Sequence, residues 1–278
     1  MAGKLYLCAT PIGNLSDITL RCLEVLKSVD LIAAEDTRRT LTLLNHFEIS
    51  KPLTSYYEHN RKEKGEHLAS QMLDGKSVAL VTDAGTPAIS DPGEDLVAIC
   101  ISRGIDIVPV PGPVAAVNGL IGSGLSTGRF CFEGFLSVNR QRRREHLLSL
   151  KDETRTMIFY EAPHKLLSTL KDFSEYFGAE RRICLCRELT KIHEEYVRCT
   201  VGEAIEKYKE SPPKGEFVLV LSGAEKKEAD FSDISIKEHV ENYIKSGMTE
   251  KDAMKAAAKD RGVKKSDIYA AYKLGEEK

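Results

Sequence analysis

Along the first 125 residues of the chain, segments with the apolar pattern of a strand alternate with segments with the apolar pattern of a helix. Near-continuous apolar runs, which are typical of buried strands, occupy residues 4–9, 29–34, 77–82 and 105–110, and a further short strand is predicted at 53–57. Between them, apolar residues recur at helical spacing over 17–28, 38–47, 61–73 and 95–103, and Ser16 is the predicted N-cap of the first helix. This alternation with short connections predicts a mostly parallel sheet covered on both faces by helices.

The second half of the chain also contains segments with strand-like and helix-like apolar patterns, but in a different order. Strands are predicted at residues 129–134, 154–161, 181–189, 195–201 and 216–222, and helices at 140–150, 163–176 and 202–209. A charged stretch at 224–230 without an apolar period indicates a linker, followed by short helices at 235–246, 249–261 and 265–274. Because Pro111-Gly112-Pro113 interrupts the first alternation, we predict an α/β domain at 1–113, a second α/β domain at 114–224, and a linker with a helical tail at 225–278.

Composition narrows the class of protein. The chain of 278 residues is longer than one core usually takes, no apolar run approaches the roughly 18 residues of a spanning helix, and its start has no signal-peptide pattern. We therefore expect a cytoplasmic protein. A net charge of −2 excludes an overall electrostatic attraction to nucleic acid, so any RNA contact must come from local patches. Cys184 and Cys186 alternate along a predicted strand without a second Cys or His cluster, which favours packing over metal binding.

The segment from Val78 to Pro92 carries the clearest functional signal. A buried-strand pattern runs directly into a turn that contains Asp83, Gly85 and Thr86. Ligands of open α/β sheets collect just beyond the carboxyl ends of such strands, so this turn is expected to face a pocket.

Three further turns follow predicted strands. The turn at Thr10-Pro11-Ile12-Gly13 has too few glycines for a dinucleotide fingerprint and no Walker lysine, which makes nicotinamide cofactors and nucleoside triphosphates poor candidates. The turn at 34–39 places two carboxylates and two guanidiniums at a strand end, and helix capping by Asp36 or Thr37 explains it as well as a reactive cluster does. The turn at 111–116 suits either a hinge or a surface for a flat ligand.

Taken together in this order, the turns resemble one protein family. The motifs are Thr-Pro-Ile-Gly-Asn-Leu-x-Asp-Ile at 10–18, Ala-Ala-Glu-Asp-Thr-Arg at 33–38, Asp-Ala-Gly-Thr-Pro-x-Ile-Ser-Asp-Pro-Gly at 83–93, Pro-Gly-Pro at 111–113 and Phe-Tyr-Glu-Ala-Pro-His at 159–164. They are similar to those of the small-subunit ribosomal (16S) RNA 2′-O-methyltransferases that act on a decoding-region cytidine, within the tetrapyrrole methylase superfamily. The resemblance extends over nearly the whole chain, with later matches at 187–191, 214–219 and 262–265.

The resemblance implies a fold, a cofactor and an assembly. We expect two α/β domains of the tetrapyrrole methylase type, a homodimer, and S-adenosyl-L-methionine held in the cleft between the domains without a metal. Carried onto this chain, the cofactor-binding positions are Pro11, Asp83, Ala84, Gly85, Thr86, Ile89, Ala115, Ala116, Tyr160, Glu161, Glu216 and Phe217. The transfer of an activated methyl group requires mainly placement of the ribose 2′-oxygen, helped by a proton acceptor or a cation. Clustering at a strand end makes Glu35, Asp36 and Arg38 the candidate catalytic residues.

The small-subunit RNA or the subunit itself is the expected partner, and two basic segments are candidates for phosphate contacts. One is the run 139–144, and the other consists of lysines and arginines between 251 and 273 in the tail, where interspersed acidic residues also fit a solvated helix face. Two alternatives remain. A tetrapyrrole (precorrin-type) C-methyltransferase would share the cleft but not the basic tail, and a non-enzymatic RNA-binding assembly factor would need only the basic segments.

Overall fold

The computed structural model describes residues 2–210, 214–225, 231 and 234–274, so residues 226–230 of the predicted linker lie outside the described residues. The chain forms two compact units, Met1–Ala224 and Glu225–Lys278. The finer division predicted at 1–113, 114–224 and 225–278 stays a prediction. In the described part of the chain, no helix combines the length and the apolar character that a membrane crossing requires.

The first sheet of the larger unit is entirely parallel. Its strands are β1 (Leu5–Cys8), β2 (Leu31–Ala34), β3 (Leu53–Ser55), β4 (Val78–Val81) and β5 (Ile107–Val110), in the order β3-β2-β4-β1-β5. The helices are α1 (Leu20–Ser28), α2 (Thr37–His46), α3 (Arg61–Leu73) and α4 (Gly93–Ser102). Side chains of α1 and α2 pack on one face of the sheet and those of α3 and α4 on the other. This confirms the predicted parallel sheet with two covered faces, and it places fully buried β4 at the centre.

One predicted helix cap is wrong. Ser16 does not cap a helix. It lies inside a separate 3-10 turn at Leu15–Asp17, which Asn14 caps by accepting a hydrogen bond from the Ser16 amide. Ile18 is extended, and α1 begins only at Leu20, where the Thr19 hydroxyl accepts a hydrogen bond from Cys22 N at 3.1 Å. The capping pattern occurs twice within six residues, and the second cap starts the helix.

The second sheet is mixed. Its strands are β6 (Phe130–Phe135), β7 (Thr156–Glu161), β8 (Arg182–Arg187), β9 (Glu195–Thr200) and β10 (Phe217–Leu221), in the order β6-β7-β10-β8-β9. Only β6 and β7 pair in parallel, and β10 lies antiparallel between β7 and β8. Helix α5 (Ala115–Ser123) covers one face, while α6 (Arg140–Ser149), α7 (Leu166–Phe177) and α8 (Val201–Glu210) cover the other.

Close packing of α5 explains the two alternating cysteines. Cys184 and Cys186 are both buried beneath α5, with their Sγ atoms 3.8 Å apart. The Cys186 thiol also donates to the Gly119 carbonyl at 3.6 Å. The predicted packing role is confirmed.

The smaller unit contains α9 (Ile236–Lys245), α10 (Glu250–Asp260) and α11 (Lys265–Tyr269), and α11 continues as a π-helical turn at Ala270–Leu274. These helices share a core of Val240, Ala253, Met254, Ala257, Ala258 and Ile268. The short helices predicted in the tail are therefore present, and they bury an apolar core of their own.

Candidate active site

A cavity of about 570 Å³ lies where the two sheets of the larger unit meet, a size within the range of ligand pockets. The carboxyl ends of β2 and β4 form one wall, and the ends of β7 and β8 with the start of β10 form the other. Because β10 is antiparallel to β7 and β8, its first residues lie at the same sheet edge as their last ones. The cavity is lined by Ile12, Glu35, Arg39, Thr82, Asp83, Ala84, Gly85, Thr86, Ile89, Ser90, Asp91, Val114, Ala115, Phe135, Tyr160, Glu161, Ala162, Pro163, His164, Cys186, Glu188, Leu189, Lys191, Glu216, Phe217 and Val218.

The turn after β4 has an unusual backbone. Gly85 has φ = 84°, and the non-glycine residues Ala88 and Ser90 have φ = 68° and 63°. Asp91 holds this turn, because its Oδ1 atom accepts hydrogen bonds from Ala88 N at 3.0 Å and Gly93 N at 2.7 Å. Residues in this backbone region persist where the surroundings fix them, and they concentrate at ligand sites. The Val78 to Pro92 segment thus faces a pocket, as predicted.

Hydrogen bonds join this turn to two others. Thr10 N donates to Gly85 O at 2.9 Å, and Gly85 N donates back to Thr10 O at 3.0 Å. The Thr86 hydroxyl donates to Pro113 O at 3.2 Å. The turns after β1, β4 and β5 are therefore one connected surface, although Pro11 itself does not line the cavity.

The three predicted catalytic residues have different environments. Asp36 caps α2, since its side chain accepts a hydrogen bond from Arg38 N at 2.9 Å. It also receives two hydrogen bonds from the Arg38 guanidinium, at 3.1 and 2.9 Å, and these lower the pKa of Asp36 to about 2. The Arg38 side chain is 90 % exposed, and neither residue lines the cavity. Glu35 does line it, and Glu35 Oε2 accepts a hydrogen bond from the Thr82 hydroxyl at 3.0 Å.

Arg39 lines the cavity and was not among the predicted site residues. Its Nη1 atom lies 3.1 Å from Asp83 Oδ2, while Asp83 Oδ1 accepts a hydrogen bond from Asp36 N at 3.1 Å. Arg39 and Glu35 are four residues apart at the start of α2. No sequence signal singled out Arg39, because Glu35 precedes α2 and helical i, i+4 spacing does not apply to it.

On the opposite wall, Tyr160 connects the second sheet to α5. Its hydroxyl oxygen accepts a hydrogen bond from Ala116 N at 3.1 Å, and its ring lies edge-on to Phe132 and Phe135. Burial raises the pKa of Tyr160. Ala115 lines the cavity, whereas Ala116 is buried beneath it with its amide already bonded.

Glu161 is a buried carboxylate on the same wall, with 5 % of its surface exposed. Its Oε1 atom accepts from Ala162 N at 2.9 Å, and its Oε2 atom accepts from the Thr169 hydroxyl. Arg143 of α6 donates to that hydroxyl oxygen at 2.8 Å and pairs with Asp172. Helices α6 and α7 therefore fix the position of the Glu161 carboxylate.

Lys191 is the second cation that the sequence prediction missed. Its Nζ atom donates to Glu188 Oε1 at 2.9 Å and to Glu216 Oε2 at 3.1 Å. Burial alone would lower the pKa of Lys191, but the two carboxylates raise it overall. The loop is left-handed at Glu188 and Thr190, a conformation that sequence patterns did not indicate.

The charge of the cavity is strongly asymmetric. Six carboxylates line it, those of Glu35, Asp83, Asp91, Glu161, Glu188 and Glu216, against the two cations Arg39 and Lys191. This excess favours a positively charged ligand. Among the described residues, no group of three or more His, Cys, Asp or Glu side chains is arranged to hold a metal ion.

Ten of the twelve predicted cofactor-binding residues line this one cavity, namely Asp83, Ala84, Gly85, Thr86, Ile89, Ala115, Tyr160, Glu161, Glu216 and Phe217. Their assignment to a cofactor stays a prediction, but the fold brings them together from four separate segments of the chain.

Comparison with known proteins gives consistent results. A family model described as tetrapyrrole (corrin/porphyrin) methylases matches residues 4–205. The chain is 48 % identical over 274 residues to ribosomal RNA small subunit methyltransferase I of Halalkalibacterium halodurans, covering 97 % of this chain and 94 % of that protein. It is 49 % identical over 223 residues to the protein of that name from Thermotoga maritima, covering 80 % of this chain and all of that protein.

Solved structures resemble the fold at low sequence identity. Diphthine synthase has a TM-score of 0.62 at 16 % identity, covering 79 % of this chain and 90 % of that one. Uroporphyrin-III C-methyltransferase from Thermus thermophilus in complex with S-adenosylhomocysteine has a TM-score of 0.57 at 16 % identity, covering 79 % and 97 %.

Proposed function

This chain belongs to the tetrapyrrole methylase family, and from that premise we propose that it transfers a methyl group from S-adenosyl-L-methionine to the 2′-oxygen of a cytidine ribose in small-subunit ribosomal RNA. The observation that carries the proposal is the carboxylate-rich cavity at the strand ends, within a chain whose near-full-length relatives are named small-subunit ribosomal RNA methyltransferases. A ribosomal substrate implies a cytoplasmic location, and we propose a homodimer on the family resemblance.

The residues of the cavity fit this cofactor. S-adenosyl-L-methionine carries a sulfonium and an ammonium, and the six lining carboxylates outnumber the two cations. The turn at Asp83 to Ile89 offers close backbone approach, and Tyr160, Glu161, Glu216 and Phe217 would form the opposite side. Pro11 and Ala116 would act from behind this surface, the latter through its hydrogen bond to Tyr160.

When bound, the sulfonium supplies an already activated methyl group. The protein must then place the ribose oxygen and accept its proton. Glu35 is the proposed proton acceptor, because it lines the cavity and Thr82 fixes one of its oxygens. Asp36 and Arg38 would act indirectly, since their mutual ion pair and the cap on α2 hold the first turn of that helix.

The basic segment on α6 is the proposed contact for RNA outside the cavity. Within the part of the chain that the structure describes, the exposed side chains of Arg140, Arg142 and Arg144 have no hydrogen-bond or ion-pair partner. Only Arg143 among the four is held, by Asp172 and Thr169. Guanidiniums that are not paired within the protein are available for phosphate. We propose the basic residues of the C-terminal unit as a further contact.

A labelling experiment tests the proposal. The protein is incubated with methyl-labelled S-adenosyl-L-methionine and, separately, with small subunits that lack the modification, naked small-subunit RNA and a tetrapyrrole precursor. We expect label at a cytidine 2′-oxygen in one of the RNA samples. Label on the tetrapyrrole would favour C-methylation instead, and calorimetry that detects no binding of S-adenosyl-L-methionine would favour a non-enzymatic RNA-binding factor.

A further inference from the structure

The charge of the cavity creates a difficulty for an RNA substrate. Six carboxylates attract a cationic methyl donor, but they repel the phosphates on either side of the ribose that must enter. Productive placement of the 2′-oxygen therefore requires a cation at the cavity. Among the described residues that line it, the permanent cations are Arg39 and Lys191.

The Lys191 ammonium is already engaged by carboxylates of the protein. Two carboxylates, Glu188 and Glu216, accept hydrogen bonds from its ammonium, and its side chain is 32 % exposed. Arg39 differs in both respects, because it has one ion pair, with Asp83, and its side chain is 69 % exposed. An exposed single ion pair contributes little to stability, so replacing it with another ionic contact costs little.

The Arg39 guanidinium also has the right chemistry and location. It presents several N–H groups in a plane, which matches two oxygens of a phosphate, whereas an ammonium acts as a point charge. Arg39 lies in the first turn of α2, four residues after Glu35, and both side chains line the cavity. A phosphate held there would bring the adjoining ribose toward the Glu35 carboxylate.

We propose that Arg39 binds the RNA phosphate next to the reactive ribose, and that its ion pair with Asp83 is the state it adopts without substrate. This inference rests on the proposed function. When Arg39 turns to the phosphate, one Asp83 oxygen loses its partner and becomes available to a cationic ligand, while the other keeps its hydrogen bond from Asp36 N. Arg39 is thus a substrate-binding residue, distinct from Arg38, which remains paired with Asp36.

The test compares Arg39→Ala, Arg39→Lys and Arg38→Ala with Arg103→Ala as a matched control. Arg103 also pairs with a carboxylate, that of Glu66, but it lies outside the cavity. For each variant we measure kcat and KM for unmodified small subunits at several salt concentrations, the affinity for S-adenosyl-L-methionine by calorimetry, and the melting temperature.

We expect Arg39→Ala to raise KM for the subunits about tenfold or more, with a smaller change in kcat and no loss of affinity for S-adenosyl-L-methionine. Loss of one phosphate contact lowers the slope of log affinity against log salt by roughly 0.7 to 0.9. Arg39→Lys should keep most of that slope but recover only part of KM, because it retains charge without the planar geometry. Arg38→Ala should change KM less than Arg39→Ala, and Arg103→Ala should stay within about twofold of the wild type by the usual effect of exposed pairs.

Two results would overturn the inference. One is an Arg39→Ala variant with the same KM and salt slope as Arg103→Ala. The other is weaker binding of S-adenosyl-L-methionine with unchanged KM for RNA, which would assign Arg39 to the methyl-donor site. Failure of the proposed function would be seen separately, because the wild-type protein would then methylate no RNA.

Discussion

Glu35, Asp36 and Arg38 are near neighbours in sequence, yet the fold gives each a different role. Asp36 is occupied as the cap of α2 and as the partner of Arg38, while Glu35 alone of the three reaches the cavity. Sequence reasoning identified the turn and could not separate its members, because capping and catalysis favour the same residue types. Which of these side chains caps the helix and which faces the cavity depends on the residue at which α2 begins, and a shift of that start by one residue changes the assignment.

Replacement of Glu35 tests its proposed role as proton acceptor. We expect Glu35→Gln to lower kcat by about a hundredfold, the lower end of general base contributions, because the amide cannot take the proton. The affinity for S-adenosyl-L-methionine should fall much less than kcat, since the substitution keeps the size of the side chain and the other lining carboxylates remain. Single-turnover methylation of small subunits measures the rate, and a rate within threefold of the wild type would remove Glu35 from the mechanism.

At the scale of elements, the sequence identified the strands and helices but not the pairing of the second sheet. Each strand or helix was recognisable from the spacing of its own apolar residues. The position of β10 between β7 and β8 was not recognisable, because these two pairings join segments that are distant in the chain and leave no mark on the apolar spacing of either segment. The family resemblance supplied the ten predicted residues that line the cavity, whereas Arg39 and Lys191 depend on the three-dimensional placement of the first turn of α2 and of a left-handed loop.

Because α5 packs closely on the second sheet, we expect a single methyl group added at their contact to lower the stability of the protein. A Cβ at Gly119 would lie 2.9 Å from Val218 Cγ1 and 3.2 Å from Val218 Cβ, both on the buried strand β10. Gly119→Ala should therefore lower the free energy of unfolding by about 1 to 2 kcal/mol, since overpacking costs about 1 to 3 kcal/mol and better helix propensity returns up to about 1 kcal/mol. Denaturant unfolding measures the change.

Gly202→Ala is the control, because in α8 the added Cβ would meet only Ala179, at ordinary distances of 3.4 Å or more. We expect no loss of stability there. Equal effects of the two substitutions would contradict the packing argument.

We expect His239 of α9 to make the stability of the C-terminal unit depend on pH. Burial lowers its pKa below the usual 6.5, and the nearby positive charge of Arg261 acts in the same direction, against the opposing effect of Asp260. Arg261 Nε donates to His239 Nδ1 at 3.1 Å, Asp260 Oδ2 lies 3.5 Å from Nε2, and the rings of Phe231 and Tyr243 stack on the imidazole. A proton on Nδ1 would face the Arg261 donor.

Since the folded state binds this proton less readily than the unfolded state, the stability of the unit should fall as pH drops below about 6.5. Titration of the His239 ring signals by NMR in the full chain should give an inflection below 6.5. An inflection at or above that value would show that Asp260 dominates.

At the scale of the whole molecule, the cavity belongs entirely to the larger unit. Each wall comes from Met1–Ala224. No described residue of the C-terminal unit lines the cavity, so the proposed function assigns RNA contacts to this unit and the chemical step to the larger one.

Removal of residues 225–278 tests this division of labour. We expect the truncated protein to bind S-adenosyl-L-methionine with unchanged affinity, because no lining residue is lost. Binding of the RNA substrate should weaken, with a smaller salt dependence, as phosphate contacts are lost. Calorimetry and filter binding provide the two measurements, and normal RNA binding without these residues would refute the proposed role of the tail.

The position of β10 has a consequence for synthesis on the ribosome. The first sheet is complete once residue 110 has emerged, and domains generally fold from the amino terminus while the chain is being made. The second sheet must wait, because its central strand, Phe217–Leu221, is the last to be translated and until then β7 and β8 have no partner between them. Glu216, Phe217 and Val218 also close the cavity. A nascent chain that stalls before residue 216 would expose two unpaired strand edges to aggregation, and the cavity would be assembled only in the final step of folding of the larger unit.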